Sequence, residues 1–171
     1  MCTNHSFYLL NPHRDALIQE EIVRLRELHA PRYREIELYA LKQRAVRLVE
    51  AFLASLKEGP MHFVKFIDHV AKERFPEGYS LEEIQSALNI LTEKAWEITV
   101  REVPLQGRDR VLSLISGTIG AAKDQLARVY FRELERSESR MARLEESLNE
   151  LAAGTISPPD LTEEDLPSRG R

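Results

Sequence analysis

The sequence has very little that would place it in an oxidising compartment or in a membrane. Its single cysteine, Cys2, has no intramolecular disulfide partner, which fits a reducing compartment. A membrane-spanning helix needs roughly 20 consecutive apolar residues. No run in the chain approaches that length, and the N-terminus lacks an apolar segment behind basic residues. We therefore expect a cytoplasmic protein that does not span a membrane.

The chain also lacks an excess of charge of one sign. The 24 basic and 28 acidic side chains leave a net charge of −4, which provides no field to attract a nucleic-acid backbone. The sequence predicts one long amphipathic helix from Arg32 to Lys57, ended by Gly59-Pro60. On its polar face, basic residues are interleaved with glutamates at pairing distance: Arg32, Arg34, Lys42, Arg44 and Arg47 with Glu35, Glu37 and Glu50. This pattern predicts a solvated, ion-paired face and no nucleic-acid partner.

Glycine and proline are scarce, and they stand where helices should end. Seven glycines and eight prolines occur in 171 residues, and segments of alternating polarity are nearly absent. The hydrophobic content of 43% suffices for the core of one domain. We expect an all-α fold in three parts: a flexible N-terminus at 1–10, a helical domain at 11–153 and a disordered tail at 154–171, which is rich in proline and acidic residues.

The stretch from Gly78 to Leu91 predicts a core helix and its start. Ser80 and Glu83 have the spacing of a capping box, in which each side chain accepts a hydrogen bond from the other residue's amide. Apolar residues then recur every three or four positions and form one stripe: Leu81, Ile84, Leu88, Leu91, Ala95 and Ile98. The stripe predicts that this helix faces the core.

The last helix, predicted from Arg108 to about Ala153, changes its apolar period near Ala127. From there the apolar positions follow a heptad pattern, which is typical of a coiled coil: Ala127, Tyr130, Leu134, Ser137, Met141, Leu144, Leu148 and Leu151. Residues 127–153 are therefore expected to form a coiled-coil-like exit helix. Two arrangements are expected for this helix: it pairs with a second copy of the chain, or it packs back on its own domain.

No catalytic or metal-binding motif stands in the sequence, so we expect a non-enzymatic protein without a metal. No serine has a nucleophile-elbow context, and no glycine loop has the lysine of a phosphate-binding loop. His62 and His69 lie seven apart on one helix and flank its apolar patch. They are candidate haem or ligand contacts, with a polar surface position as the alternative.

Trp96 lies off the apolar stripe of its helix. An isolated aromatic side chain among polar neighbours is typical of a subunit or partner surface. Packing against the N-terminal helix is the alternative. We include Trp96 with Tyr130, Leu134, Met141, Leu144, Leu148 and Leu151 as predicted dimer-interface residues.

Several segments together resemble the N-terminal sensor domain of RsbR-type co-antagonists of the bacterial stressosome, over about residues 35–152. The segments are Leu41-Lys-Gln-Arg-Ala-Val-Arg-Leu-Val49, the helix of Phe63-Val-Lys-Phe66, Glu77-Gly-Tyr-Ser-Leu-Glu-Glu-Ile84 and Ala87-Leu-Asn-Ile-Leu91. The resemblance implies a globin-like, generally haem-free, dimeric domain that passes a signal through its exit helix to a STAS domain. This sequence contains no STAS domain, so kinase binding and phosphorylation are not carried over.

Together with the heptad pattern, the resemblance implies a globin-like helical bundle that acts as a dimeric sensory or regulatory domain in bacterial stress signalling, with a signalling protein as a further partner. A haem-binding or small-ligand-binding globin-like protein is the alternative. A structural adaptor that docks a partner through Trp96 or the acidic tail is a third interpretation.

Overall fold

The structure of the protein, a computed structural model, describes residues 3–28 and 30–153, which form helices joined by short turns; side chains are described from residue 6 onward. The helices are α1 (Thr3–Leu10), α2 (Arg14–Glu27), α3 (Pro31–Glu35), α4 (Leu38–Glu58), α5 (Pro60–Arg74), α6 (Leu81–Glu102) and α7 (Leu105–Ala152), with a 3₁₀ turn at Asn11–His13. The predicted all-α class with a long C-terminal helix is confirmed. Its globin-like character stays a prediction. Cys2 and the predicted tail at 154–171 lie outside the described residues.

The N-terminal segment differs from the prediction. The sequence predicts no helical order for residues 1–10, whereas Thr3–Leu10 form α1. Leu10 is fully buried, Phe7 is partly buried, and α1 packs against α4 and α6. Burial against these helices organises an apolar stretch whose own pattern gave no helical stripe, because tertiary packing overrides a weak local preference.

The predicted capping box at the start of α6 is confirmed. The Ser80 hydroxyl accepts a hydrogen bond from the Glu83 amide at 3.1 Å, and the Glu83 carboxylate accepts one from the Ser80 amide at 2.8 Å. The Arg32 amide donates to the other Glu83 oxygen at 3.1 Å, so the same carboxylate also holds the start of α3. The stripe is buried as predicted, from Ile84 through Ile98.

Residues 32–57, which the sequence predicts as one helix, form α3 and α4 with a break at Ile36 and Glu37. The Arg26 guanidinium donates to the backbone carbonyls of Arg34 and Ile36 at 2.8 and 2.7 Å. These bonds satisfy carbonyls at the end of α3 that have no partner within the helix. A side chain from α2 therefore supports the break.

The core is formed mainly by α2, α4, α5, α6 and the first half of α7. Helix α4 packs against α1, α2 and α5, and α2 packs against α6. Gly59, at a positive φ of 107°, ends α4 and leads into Pro60 of α5, as the sequence predicts. Within the described residues, no helix combines the length and the apolar character needed to cross a lipid bilayer.

Helix α7 contributes to two compact units, which meet in the sequence between Tyr130 and Phe131. In the first unit, α7 buries Ile115, Ile119, Ala122 and Leu126 in the hydrophobic core. The second unit begins at Phe131, a few residues beyond the position where the apolar period changes. The two halves of α7 are therefore considered separately below.

Candidate functional site

The second half of α7 has an apolar face that is exposed. Leu134, Met141 and Leu148 are 46%, 58% and 65% exposed, and Leu144 and Leu151 are half-buried. Their heptad spacing puts all five on one side of the helix. We call these five residues the exposed seam. Each is a predicted dimer-interface residue, and the pairing itself stays a prediction.

Tyr130 departs from this expectation and requires a correction. Its side chain is buried in the first unit, where its ring packs edge-on against Phe75 with the centroids 5.4 Å apart. Its hydroxyl donates a hydrogen bond to the Tyr79 carbonyl at 2.9 Å. Burial raises the pKa of this hydroxyl to about 12, so it remains a donor at neutral pH. Tyr130 therefore belongs to the core of its own chain.

Trp96 lies on the outer side of α6 and is 42% exposed. Val100, one turn further along the helix, is exposed as well. Neither residue belongs to the hydrophobic core. This placement favours the surface interpretation of Trp96 over packing against the N-terminal helix, and its role in a dimer stays a prediction.

His62 and His69 are both exposed on α5. The His62 Nδ1 lies 3.3 Å from the Glu58 carboxylate, one turn earlier in the chain. Neither histidine lines the cavity described next. Among the described residues, no group of three His, Cys, Asp or Glu side chains is arranged to hold a metal ion.

A cavity of about 50 Å³ lies between α2, α4, α5 and α6. Nine of its 13 lining residues are apolar, and they include Leu48, Phe66, Ile67 and Leu88. The volume is far below the roughly 300–1,000 Å³ of sites for drug-sized ligands. It is comparable with the space of one or two water molecules, at about 30 Å³ each in the liquid.

Three arginines and one tyrosine complete the lining: Arg44, Arg47, Arg74 and Tyr33. Arg74 is buried, and its guanidinium donates to the Glu77 carboxylate at 2.7 Å. Arg44 donates to the same carboxylate at 3.1 Å and to the Tyr79 hydroxyl at 2.5 Å. Glu77 thus holds two of the three arginines in place.

Arg47 differs from the other two arginines. Its side chain is exposed, and it has no hydrogen bond or ion pair with any residue that the structure describes. The Arg47 guanidinium therefore keeps its hydrogen-bond donors free for solvent or a ligand.

Tyr33 supplies a neutral polar group to the same cavity. It is 6% exposed, its ring packs edge-on against Tyr79, and its hydroxyl has no hydrogen-bond partner among the described residues. Burial is the largest cause that raises the pKa of this hydroxyl, so it stays protonated. The hydroxyl is free to donate a hydrogen bond to a water molecule or a ligand.

The sequence did not single out this cavity. It predicted that Arg44 and Arg47 belong to an ion-paired face with the glutamates of their own helix. In the structure, Arg44 instead pairs with Glu77, which lies beyond the end of α5. The segment Arg74–Tyr79 carries the one available signal, because it places an arginine, a glutamate and a tyrosine within six residues just before the capping box.

Comparisons of the chain with protein-family models, curated protein sequences and solved structures found no match. The function is therefore inferred from the geometry of the exposed seam and of the cavity.

Proposed function

We propose that the chain is a non-enzymatic sensory or regulatory domain that acts as a homodimer through the second half of α7. The exposed seam is the observation that carries this proposal. Five apolar side chains on one face of a helix remain in water unless a partner covers them. A second copy of the same helix offers an identical heptad face, and side chains from the two faces then interdigitate.

The setting that we propose is bacterial stress signalling in the cytoplasm, with a signalling protein as a further partner. The resemblance of residues 35–152 to RsbR-type sensor domains supports this setting. The separation of α7 into a part that packs in the core and a part that carries the exposed seam is compatible with an exit helix.

Sedimentation equilibrium at tens of micromolar protein tests the dimer. Replacing Leu144 and Leu148 by aspartate places two charges in the seam, and we expect the protein to become monomeric because charges at an apolar interface are costly to desolvate. Ser139→Asp is the matched control, since Ser139 is exposed and lies opposite the seam in the heptad. A wild-type monomer under these conditions would refute the proposal.

Small-ligand binding is the second candidate function, and the cavity is the observation that favours it. The haem version receives less support, because His62 and His69 are exposed and lie outside a cavity that is smaller than a haem. Reconstitution with haem tests this version directly. A Soret band that is lost in His62→Ala or His69→Ala would support haem binding. A protein that remains colourless would contradict it.

A further inference from the structure

The lining of the cavity has a chemical character that restricts its ligand. Among the described residues, no aspartate or glutamate lines the cavity, nine lining residues are apolar, and the three charged lining residues are all arginines. A cationic ligand would meet like charges there, and a neutral apolar ligand would gain nothing from the arginines. The lining matches a molecule with a short hydrocarbon part and one anionic group.

Arg47 is the residue that can bind the anionic group. Glu77 already accepts hydrogen bonds from Arg44 and Arg74. The guanidinium of Arg47 has all its donors free, and their planar fork matches a carboxylate. Tyr33 also lines the cavity, and its hydroxyl, which has no partner among the described residues, can supply a further donor.

The volume limits the length of the hydrocarbon part. About 50 Å³ holds only two or three carbon atoms if the wall does not move. We propose that the cavity binds a short-chain aliphatic monocarboxylate of three or four carbons, with its carboxylate on Arg47 and its chain against Phe66, Ile67 and Leu88. This inference deepens the small-ligand candidate and rests on it, but it does not depend on dimerisation.

Calorimetric or NMR titration with acetate, propionate, butyrate and hexanoate tests the proposal on the full chain. Each buried methylene group should strengthen binding about fourfold. We expect this gain up to butyrate and none at hexanoate, because the additional carbons have no space. Butyramide has nearly the shape of butyrate but no charge, and it should bind at least about tenfold more weakly.

Arg47→Gln tests the anchor. Arg47 is exposed and has no partner among the described residues, so the variant should fold normally, which thermal unfolding checks. Butyrate affinity should fall by about tenfold or more, and butyramide affinity should not change. Lys42→Gln is the matched control, because it also removes one positive charge. Lys42 is exposed on the same helix and does not line the cavity.

Ala87→Leu tests the cavity itself, because the longer side chain would fill the space that the hydrocarbon part needs. Binding of both butyrate and butyramide should be lost. If this variant does not fold, Arg47→Gln still decides the question.

The proposal is overturned by equal affinity for butyrate and butyramide, by unchanged butyrate affinity in Arg47→Gln, or by the absence of saturable binding at about 10 mM. A continued gain at hexanoate would overturn the limit on chain length. None of these results bears on sedimentation of the wild-type protein, so this inference and the dimer proposal fail separately.

Discussion

Glu21 is a carboxylic acid enclosed in the core. It is 0% exposed, it stands one helical turn from the buried Leu17 and Leu25, and neither carboxyl oxygen has a hydrogen-bond partner among the described residues. Burial raises the pKa of this carboxyl well above its ordinary value of 4.5, although the charge of Arg24 acts in the opposite direction. The folded state therefore binds this proton more tightly than the unfolded chain does, and the burial of the carboxyl costs stability.

This raised pKa makes the stability of the fold depend on pH. Above pH 4.5 the unfolded chain loses the Glu21 proton while the folded chain keeps it, so this group lowers the free energy of unfolding as pH rises. Glu21→Gln removes that dependence. We expect the variant and the wild type to be similar near pH 4, and the variant to be the more stable at pH 7, with the gap widening by up to about 1.4 kcal/mol per pH unit until the raised pKa is reached.

Urea denaturation at a series of pH values measures this gap, because the difference between the two proteins cancels the titration of all other groups. Glu27→Gln is the matched control, since Glu27 is exposed at the end of the same helix. A constant gap between wild type and Glu21→Gln from pH 4 to pH 7 would show that Glu21 ionises normally in the folded state.

The burial of Glu21 illustrates what could not be predicted from the sequence at this scale. Glu21 shares one side of its helix with Leu17, Arg24 and Leu28, and such a mixed side indicates modest burial. The structure instead covers Glu21 with neighbouring helices. Burial of a single charged residue depends on which elements pack over it, and this information is not local in the sequence.

At the scale of elements, the start of α6 provides the next prediction. The Ser80 hydroxyl satisfies the Glu83 amide, which has no carbonyl partner in the first turn of the helix. Ser80→Ala removes this acceptor, and we expect it to lower the free energy of unfolding by about 1 kcal/mol. A lower urea midpoint with an unchanged slope is the expected result.

Ser86→Ala provides the comparison for this substitution. Ser86 lies in the same helix, and its hydroxyl donates to the Glu82 carbonyl, which also accepts a backbone bond within the helix. Its replacement should change stability by less than about 0.5 kcal/mol. Equal effects of the two substitutions would mean that the cap contributes nothing beyond helix propensity.

The elements that could be predicted from the sequence are those set by near neighbours. The capping box and the buried stripe of α6 depend on residues three or four positions apart, and both were predicted. The break between α3 and α4 and the cavity were not. The break is supported by Arg26 of the preceding helix, and the cavity depends on Arg44 meeting Glu77, which lies 33 positions further along the chain.

At the scale of the whole molecule, a sensory role requires that ligand binding and dimerisation affect each other. The cavity and the exposed seam lie in different compact units of the chain. Because the dimer contains two cavities, the factor by which saturating ligand shifts the dimerisation constant must equal the square of the factor by which dimerisation shifts the ligand's affinity at each cavity. This equality turns a qualitative proposal into two measurements that have to agree.

We expect saturating butyrate to change the dimerisation constant by at least about fivefold, the lower end of typical couplings between sites. Sedimentation equilibrium with and without butyrate measures this factor. Titration of butyrate into the wild-type dimer and into the monomeric Leu144→Asp, Leu148→Asp variant should give a ratio of affinities per cavity equal to the square root of this factor. In Arg47→Gln, the dimerisation constant should not respond to butyrate. If butyrate binds and the chain dimerises but the factor is one, the two sites are independent, and the exposed seam then joins two copies without reporting on the cavity.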